Sequence, residues 1–416
     1  MSTSIRFKLS FMMFLEFFIW GAWFVTLGTY LSKNLQAQPL EIANVFSTQS
    51  LGAIIAPFII GMIADRYFNA ERILGVLHII GAVLMYQMYN ATEISSFYPY
   101  VLAYMVLYMP TLSLVNSVSF RQLTNPEKQF SNIRIWGTIG WIIAGLSISY
   151  LFKWDAAEAS SAGALKNTFL MGAIASLVLG LFSFTLPKTP PVKIESDQKP
   201  SFSSIIGLDA IKLLKDRNFL IFFVSSILIC IPLAFYYQNA NPFLDQIGME
   251  NPTGKMTIGQ ISEVLFLLAL PVFFSKFGFK KTILVGMLAW ALRYILFAYG
   301  NAGDLSFMLI LGIALHGICY DFFFVSGQIY TDSKAGIKYK SAAQGLITLA
   351  TYGVGQLIGF WVAGFIGEKY AYLQQANVAD FWKQTWIIPA GIAFVVFVIF
   401  LVAFKDEKVE NKAVAE

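Results

Sequence analysis

Glu16, Arg134, Glu263, Arg293 and Asp321 are ionisable side chains set inside long apolar runs. Each is costly there, so each is by default a candidate for a transport pathway, a proton relay or an ion pair. Their neighbours repeat at helical spacing. Arg134, Thr138 and Trp141 fall at i, i+4 and i+7, Gln260 and Glu263 at i and i+3, and His316, Tyr320 and Phe324 form a stripe beside Asp321. Between Pro232 and Pro242 stand Tyr236, Tyr237, Gln238, Asn239 and Asn241. Lipid does not tolerate that density of amides, so these groups require a cavity or another helix. Aromatic faces with scattered amides and hydroxyls suit a flat, neutral, polyhydroxylated ligand: rings stack on it, and amides and acids take its hydroxyls. A phosphorylated ligand demands more fixed cation than one cavity arginine supplies.

The elements that carry these residues are membrane spans. The chain has 416 residues, of which 57% are hydrophobic and only 13% charged, too few charges to build a water-facing surface. Soluble enzymes, nucleic-acid binders and secreted modules are excluded. Apolar runs near 20 residues recur at about 9–31, 42–64, 73–91, 97–120, 132–152 and 167–187, then at about 218–242, 256–276, 281–300, 305–330, 341–366 and 381–404. Twelve transmembrane helices in two six-helix bundles are therefore predicted, an all-α integral membrane protein. The division is 1–187 for the first bundle, 188–217 for a cytoplasmic linker, 218–404 for the second bundle and 405–416 for a tail. In the linker, the segment 203–215 carries Leu208, Ile211 and Leu214 on one face and is expected to lie as a short amphipathic helix at the membrane surface. With the N-terminus inside, 21 Lys and Arg fall in cytoplasmic segments and 6 in outer ones, a split that supports both the orientation and an even number of spans.

Depth along the spans suggests partners. Glu263 and Arg293 both lie about 10 Å from the outer end of their helices, which favours a structural ion pair between them, while Arg134 shares the inner half with Glu16 and Asp321 and is expected to pair with one of these acids. Asp321 and Glu16 are the candidate proton-coupling acids. Two cysteines, Cys230 and Cys319, and two histidines, His78 and His316, are too few and too scattered for a disulfide framework or a zinc site, so no metal is expected. There is no Walker A motif, so no nucleotide-driven step is expected. The first cytoplasmic hairpin carries Gly61, Asp65 and Arg66, followed by Arg72, in a GxxxDR...R arrangement. It resembles the gate loop of the major facilitator superfamily.

The strings FIWGAWFVTLGTYL (18–31), YMPTLSLVNSVSF (108–120), IRIWGTIGW (133–141), QISEVLFLLALPVFF (260–274), AWALRYILFAYG (289–300), YDFFFVSG (320–327) and SAAQG (341–345) together resemble the nucleoside:H+ symporter family of that superfamily, in order and spacing from about residue 9 to 404. The resemblance implies a twelve-helix fold and uptake of nucleosides driven by a proton gradient, with no cofactor, across a bacterial cytoplasmic membrane, both termini being cytoplasmic. It implies that Arg134, Thr138, Trp141, Gln260, Glu263, Tyr320 and Asp321 contribute to a central site, joined by Tyr236, Tyr237, Gln238 and His316 from the residue reading. The chain departs from the family pattern at Glu16, at His316 and over 234–238. The expected partners are a nucleoside, protons and the lipid bilayer, with no nucleic acid, and a monomer is expected. Alternatives within this reading are a proton-coupled carrier of sugars or other metabolites, and a non-transporting nucleoside sensor. The absence of a large cytoplasmic segment weighs against the sensor.

Overall fold

The computed structural model describes residues 2–59, 68–124, 126–190 and 208–405, and the regular structure among them is entirely helical. The spans of the first half are α1 (Thr3–Trp23, resumed after a turn as Leu27–Lys33), α2 (Pro39–Ile59), α3 (Ala70–Asn90), α4 (Ile94–Phe120), α5 (Pro126–Leu146, extended by a π turn at Ser147–Leu151) and α6 (Asn167–Ser183). In the second half α7 is Arg217–Gln246 and α12 is Val378–Ala403. Between them, the continuous stretch Pro252–Tyr299 is two spans, α8 (252–277) and α9 (279–299), because Gly278 takes φ 76. A second glycine, Gly336 at φ 62, likewise separates α10 (306–335) from α11 (337–369). Positive φ is open to glycine at no steric cost, so both reversals are written in the sequence. Among the described residues the count is the twelve expected. Gly61, Asp65 and Arg66 lie outside the described residues.

The chain forms two compact units. One comprises residues 1–199 with 250–257, the other 200–249 with 258–416. The sequence reading put the whole of 218–404 in the second bundle, whereas the start of α8 belongs with the first. The reason is a set of backbone donors at the helix start, which carry no intrahelical partner. The N–H of Thr253 donates to Asp155 Oδ2 at 3.0 Å and that of Gly254 to Ser149 Oγ at 2.6 Å, while the Ser149 hydroxyl donates to Asp155.

Within the first unit α1 packs along α5 and α6, α3 against α4 and α6, and α2 against α4. Small residues make the α1–α5 approach close. A Cβ on Gly140 would collide with the Phe14 carbonyl, and one on Gly21 would meet Trp141 at 3.0 Å. In the second unit α7 packs against α11 and α12. A Cβ on Gly317 would sit 2.5 Å from the backbone of Ser262, so α8 and α10 touch main chain to main chain.

The linker helix differs from its expected form. Leu208–Lys215 is a 3-10 helix, and with three residues per turn it buries Ala210 and packs Leu213 against Ala335, Ala342, Ala343 and Leu346, leaving Ile211 44% exposed. Ile211, on the face expected to meet the membrane surface, is thus not packed on this cluster, and the side chain of Leu208 lies outside the described residues. Asp216 follows and caps α7, accepting the Phe219 N–H at 2.8 Å and an ion pair from Lys334 at 3.2 Å. Partial burial pushes its carboxyl up, but the bonds from Phe219 and Lys334 outweigh this and hold it below the usual aspartate value of 3.8.

Candidate functional site

In the first unit, the α1–α5 contact decides where α5 points its polar face. Arg134, Thr138 and Trp141 are each half-buried on it. The Arg134 guanidinium lies 4.0 Å from the centre of the Phe17 ring, a cation held by an aromatic face. Trp141 meets Trp20 edge-on at 5.6 Å, and Trp20 meets Tyr108 in the same manner at 5.7 Å. An aromatic wall thus runs from α5 across α1 to α4.

Glu16 is fully buried behind this wall and does not take Arg134 as its partner. Its Oε2 lies 2.9 Å from Nε2 of His78, its Oε1 lies 2.6 Å from the Thr111 hydroxyl, which also reaches the Tyr108 carbonyl, and its backbone carbonyl accepts from the Tyr108 hydroxyl at 2.8 Å. His78 was set aside in the sequence as one of two scattered histidines. Its signal was there in part: Leu74, His78, Gly81 and Met85 share the buried face of α3. What no spacing could reveal is which acid that face meets.

In the second unit the expected Glu263–Arg293 pair is replaced by a three-residue relay. Arg293 is fully buried, stands 3.5 Å over the Tyr236 ring and reaches Nδ1 of His316 at 3.1 Å, while Nε2 of His316 is 3.9 Å from Glu263 Oε2. The histidine stands between the two charges, because depth arithmetic fixes height along a helix and leaves lateral position open. A guanidinium only donates, so Nδ1 accepts and the imidazole proton sits on Nε2, facing Glu263. The 3.9 Å gap is too long for a hydrogen bond. Tyr236 stacks on His316 at 5.4 Å, completing the shell around the arginine.

A break in α10 positions the remaining groups. The helix runs Ser306–Ala314, His316–Tyr320, a π turn at Asp321–Val325, then onward from Ser326. Ser262 of α8 fills the break, donating to the Ala314 carbonyl at 2.6 Å and accepting the Gly317 N–H at 2.9 Å. π turns of this sort are frequent at functional sites. Asp321 opens one while 1% exposed, with Oδ2 lacking a hydrogen-bond partner. Tyr320 shares a 2.7 Å hydroxyl contact with Tyr352 of α11, a residue the sequence reading did not single out. Around this pair lies a crevice lined by Ser226, Tyr320, Gln328, Gln344, Thr348 and Tyr352. On α7, Tyr237 is half-buried and within electrostatic reach of Tyr352 and Glu263, whereas Gln238 is buried with its amide oxygen unbonded. Gln260 is half-buried one turn before Glu263. Among the described residues no three His, Cys, Asp or Glu side chains gather as a metal site.

Twelve spans in two six-helix units, with ionisable groups sheltered inside each, define a secondary transporter of the major facilitator fold. The chain belongs to the nucleoside H+ symporter family, whose model matches residues 1–409. It is 43% identical over 411 residues to the putative nucleoside transporter YegT of Escherichia coli (strain K12), covering 98% of this chain and 95% of that one. The xanthosine permease of the same organism is 33% identical over 430 residues, covering 99% of both chains. A crystal structure of the nucleoside transporter NupG superposes with a TM-score of 0.84 at 30% identity, covering 97% of this chain and 100% of that one.

Proposed function

We infer that the chain imports nucleosides together with protons, exposing its site alternately to the two sides of the membrane. The observation that carries this reading is the whole-length match to the nucleoside H+ symporter family. The polar and aromatic inventory suits such a ligand. Trp141, Tyr237 and Tyr320 are rings on which a base can stack, while the Tyr236 ring is taken by Arg293 and His316, and Gln238, Gln260 and Glu263 are acceptors and donors for ribose hydroxyls. Arg134, Thr138 and His316 complete the proposed binding set. Asp321 is the proposed coupling acid: its carboxyl is buried with one oxygen unpartnered, a place for an exchangeable proton that a change of surroundings can reach. Arg293 holds His316 and Tyr236 in place and is not itself a ligand group. The membrane is proposed to be the bacterial cytoplasmic one, with both termini inside, on the strength of the 21 to 6 split of basic residues. The transporter is proposed to work as a monomer.

The test is uptake into proteoliposomes with the outside more acidic than the lumen. Labelled nucleoside should accumulate above equilibrium, an uncoupler should abolish the accumulation, and unlabelled nucleosides should compete while sugars should not. Uptake that ignores the gradient, or that sugars alone displace, overturns the reading.

A further inference from the structure

The Glu16–His78 contact lies wholly within the first unit and its hydrogen-bond pattern counts protons. Ser176 Oγ is 2.9 Å from the carbonyl of His78 and 3.1 Å from its Nδ1. A carbonyl only accepts, so the single serine hydrogen goes there, and Nδ1 must carry the hydrogen of its own contact with Ser176. That assignment leaves Nε2 as a lone pair in the neutral ring. Across 2.9 Å it faces a carboxylate oxygen, another acceptor. Two acceptors do not approach so closely unless the pair holds one additional proton, on the Glu16 carboxyl or on Nε2. Either way the pair is neutral overall, the state that burial at membrane depth favours.

We propose that Glu16 and His78 form a proton-binding site of the N-terminal unit, separate from Asp321 in the C-terminal one. Its bound proton ties together α1 through Glu16, α3 through His78, α4 through Thr111 and Tyr108, and α6 through Ser176. The titratable groups that face it are Tyr104 and Tyr108 from α4, both buried and in electrostatic contact with Glu16, and Arg134 from α5, which lies over the Phe17 ring. The tyrosines offer hydroxyl donors and no positive charge, and Arg134 is held over the Phe17 ring instead of pairing with Glu16, so the proton is the counter-charge in direct contact with Glu16. When the proton leaves, a lone pair meets a carboxylate, so either the imidazole hydrogen moves to Nε2 with the Ser176 hydroxyl turning to Nδ1, or the α1–α3 contact opens. The role in transport rests on the symport reading above, whereas the proton site itself does not.

Histidine labelled with 15N tests the site directly, because the full chain carries only two histidines and His78→Gln assigns the signals. In the wild-type protein the His78 ring should show a protonated Nδ1 and an Nε2 signal displaced from that of a bare lone pair. In Glu16→Gln, whose amide donates to Nε2 but carries no acid proton to share, the Nε2 signal should move to that of an ordinary hydrogen-bonded lone pair. An Nε2 signal of a bare lone pair in the wild type overturns the proposal even if the variant does not fold, as does a displacement left unchanged by Glu16→Gln. Proton-driven nucleoside uptake by the same preparation separates the two claims. Uptake without the shared-proton signal removes the site and leaves the symport reading. The signal without proton-driven uptake keeps the site and removes the symport reading.

Discussion

At the scale of single residues, the outcome turns on which polar atoms have partners. Asp321 has one carboxylate oxygen with none, at the start of a π turn. Asp321→Asn removes the exchangeable proton while keeping the shape. It should still bind nucleoside, measured by equilibrium binding in detergent, but should lose gradient-driven accumulation in proteoliposomes by at least about tenfold. Retained accumulation would place the coupled proton elsewhere. His316 presents the opposite case, since it is the acceptor for a fully buried arginine. His316→Leu leaves that donor unsatisfied and should destabilise the protein by about 1–3 kcal/mol. Adding Arg293→Met removes the orphaned charge and should recover most of the loss in a thermal melt. Additive losses in the double variant would mean that the relay is not the stabilising contact.

At the scale of elements, much was legible because helices of this kind are written in one dimension. Twelve apolar runs gave twelve helices among the described residues, while nothing in the apolar pattern singles out Gly278 and Gly336 as the points of two reversals. The lateral pairings were not legible: the sequence allowed Glu263 with Arg293 and Arg134 with Glu16, while the folded chain interposes His316 in one case and gives Glu16 to His78 in the other. Such choices depend on helix rotation, which contacts like that of Gly317 with Ser262 determine. Gly317→Val should force α8 and α10 apart and destabilise the protein by about 1–3 kcal/mol with loss of uptake, whereas Gly391→Ala, which meets nothing within 4 Å, should be neutral or stabilising by up to about 1 kcal/mol. Equal melting temperatures for the two variants would refute the close contact. The Asp216 cap makes a prediction with a sign. Because its carboxyl is held below its ordinary 3.8, the cap contributes above that value and is lost as pH falls through the depressed one. Asp216→Ala should therefore lower the melting temperature at neutral pH, and its difference from wild type should shrink in strong acid.

At the scale of the whole molecule, composition and the count of basic residues carried the reading of a polytopic protein, and the match along 1–409 carried the family. Orientation is checked by cysteines placed at exposed sites, since native Cys230 and Cys319 are both buried. An impermeant maleimide should modify Asp304→Cys in intact cells and Lys276→Cys only after permeabilisation, and the reverse pattern would invert the topology. The π turn at Asp321–Val325 has a further consequence, for chain length. A single-turn π bulge accommodates one residue more than regular α geometry, so both flanks keep the faces they would have in an unbroken helix. Deleting Phe324 should therefore leave His316 above and Tyr330 below on their present sides, while deleting one residue from the uninterrupted middle of α9 would rotate all that follows by about 100°. This stretch of α10, like the π turns at Ser147–Leu151 and Leu349–Gly355, is a place where the protein can lose a residue and remain folded, here with the local loop of backbone around Asp321 closed.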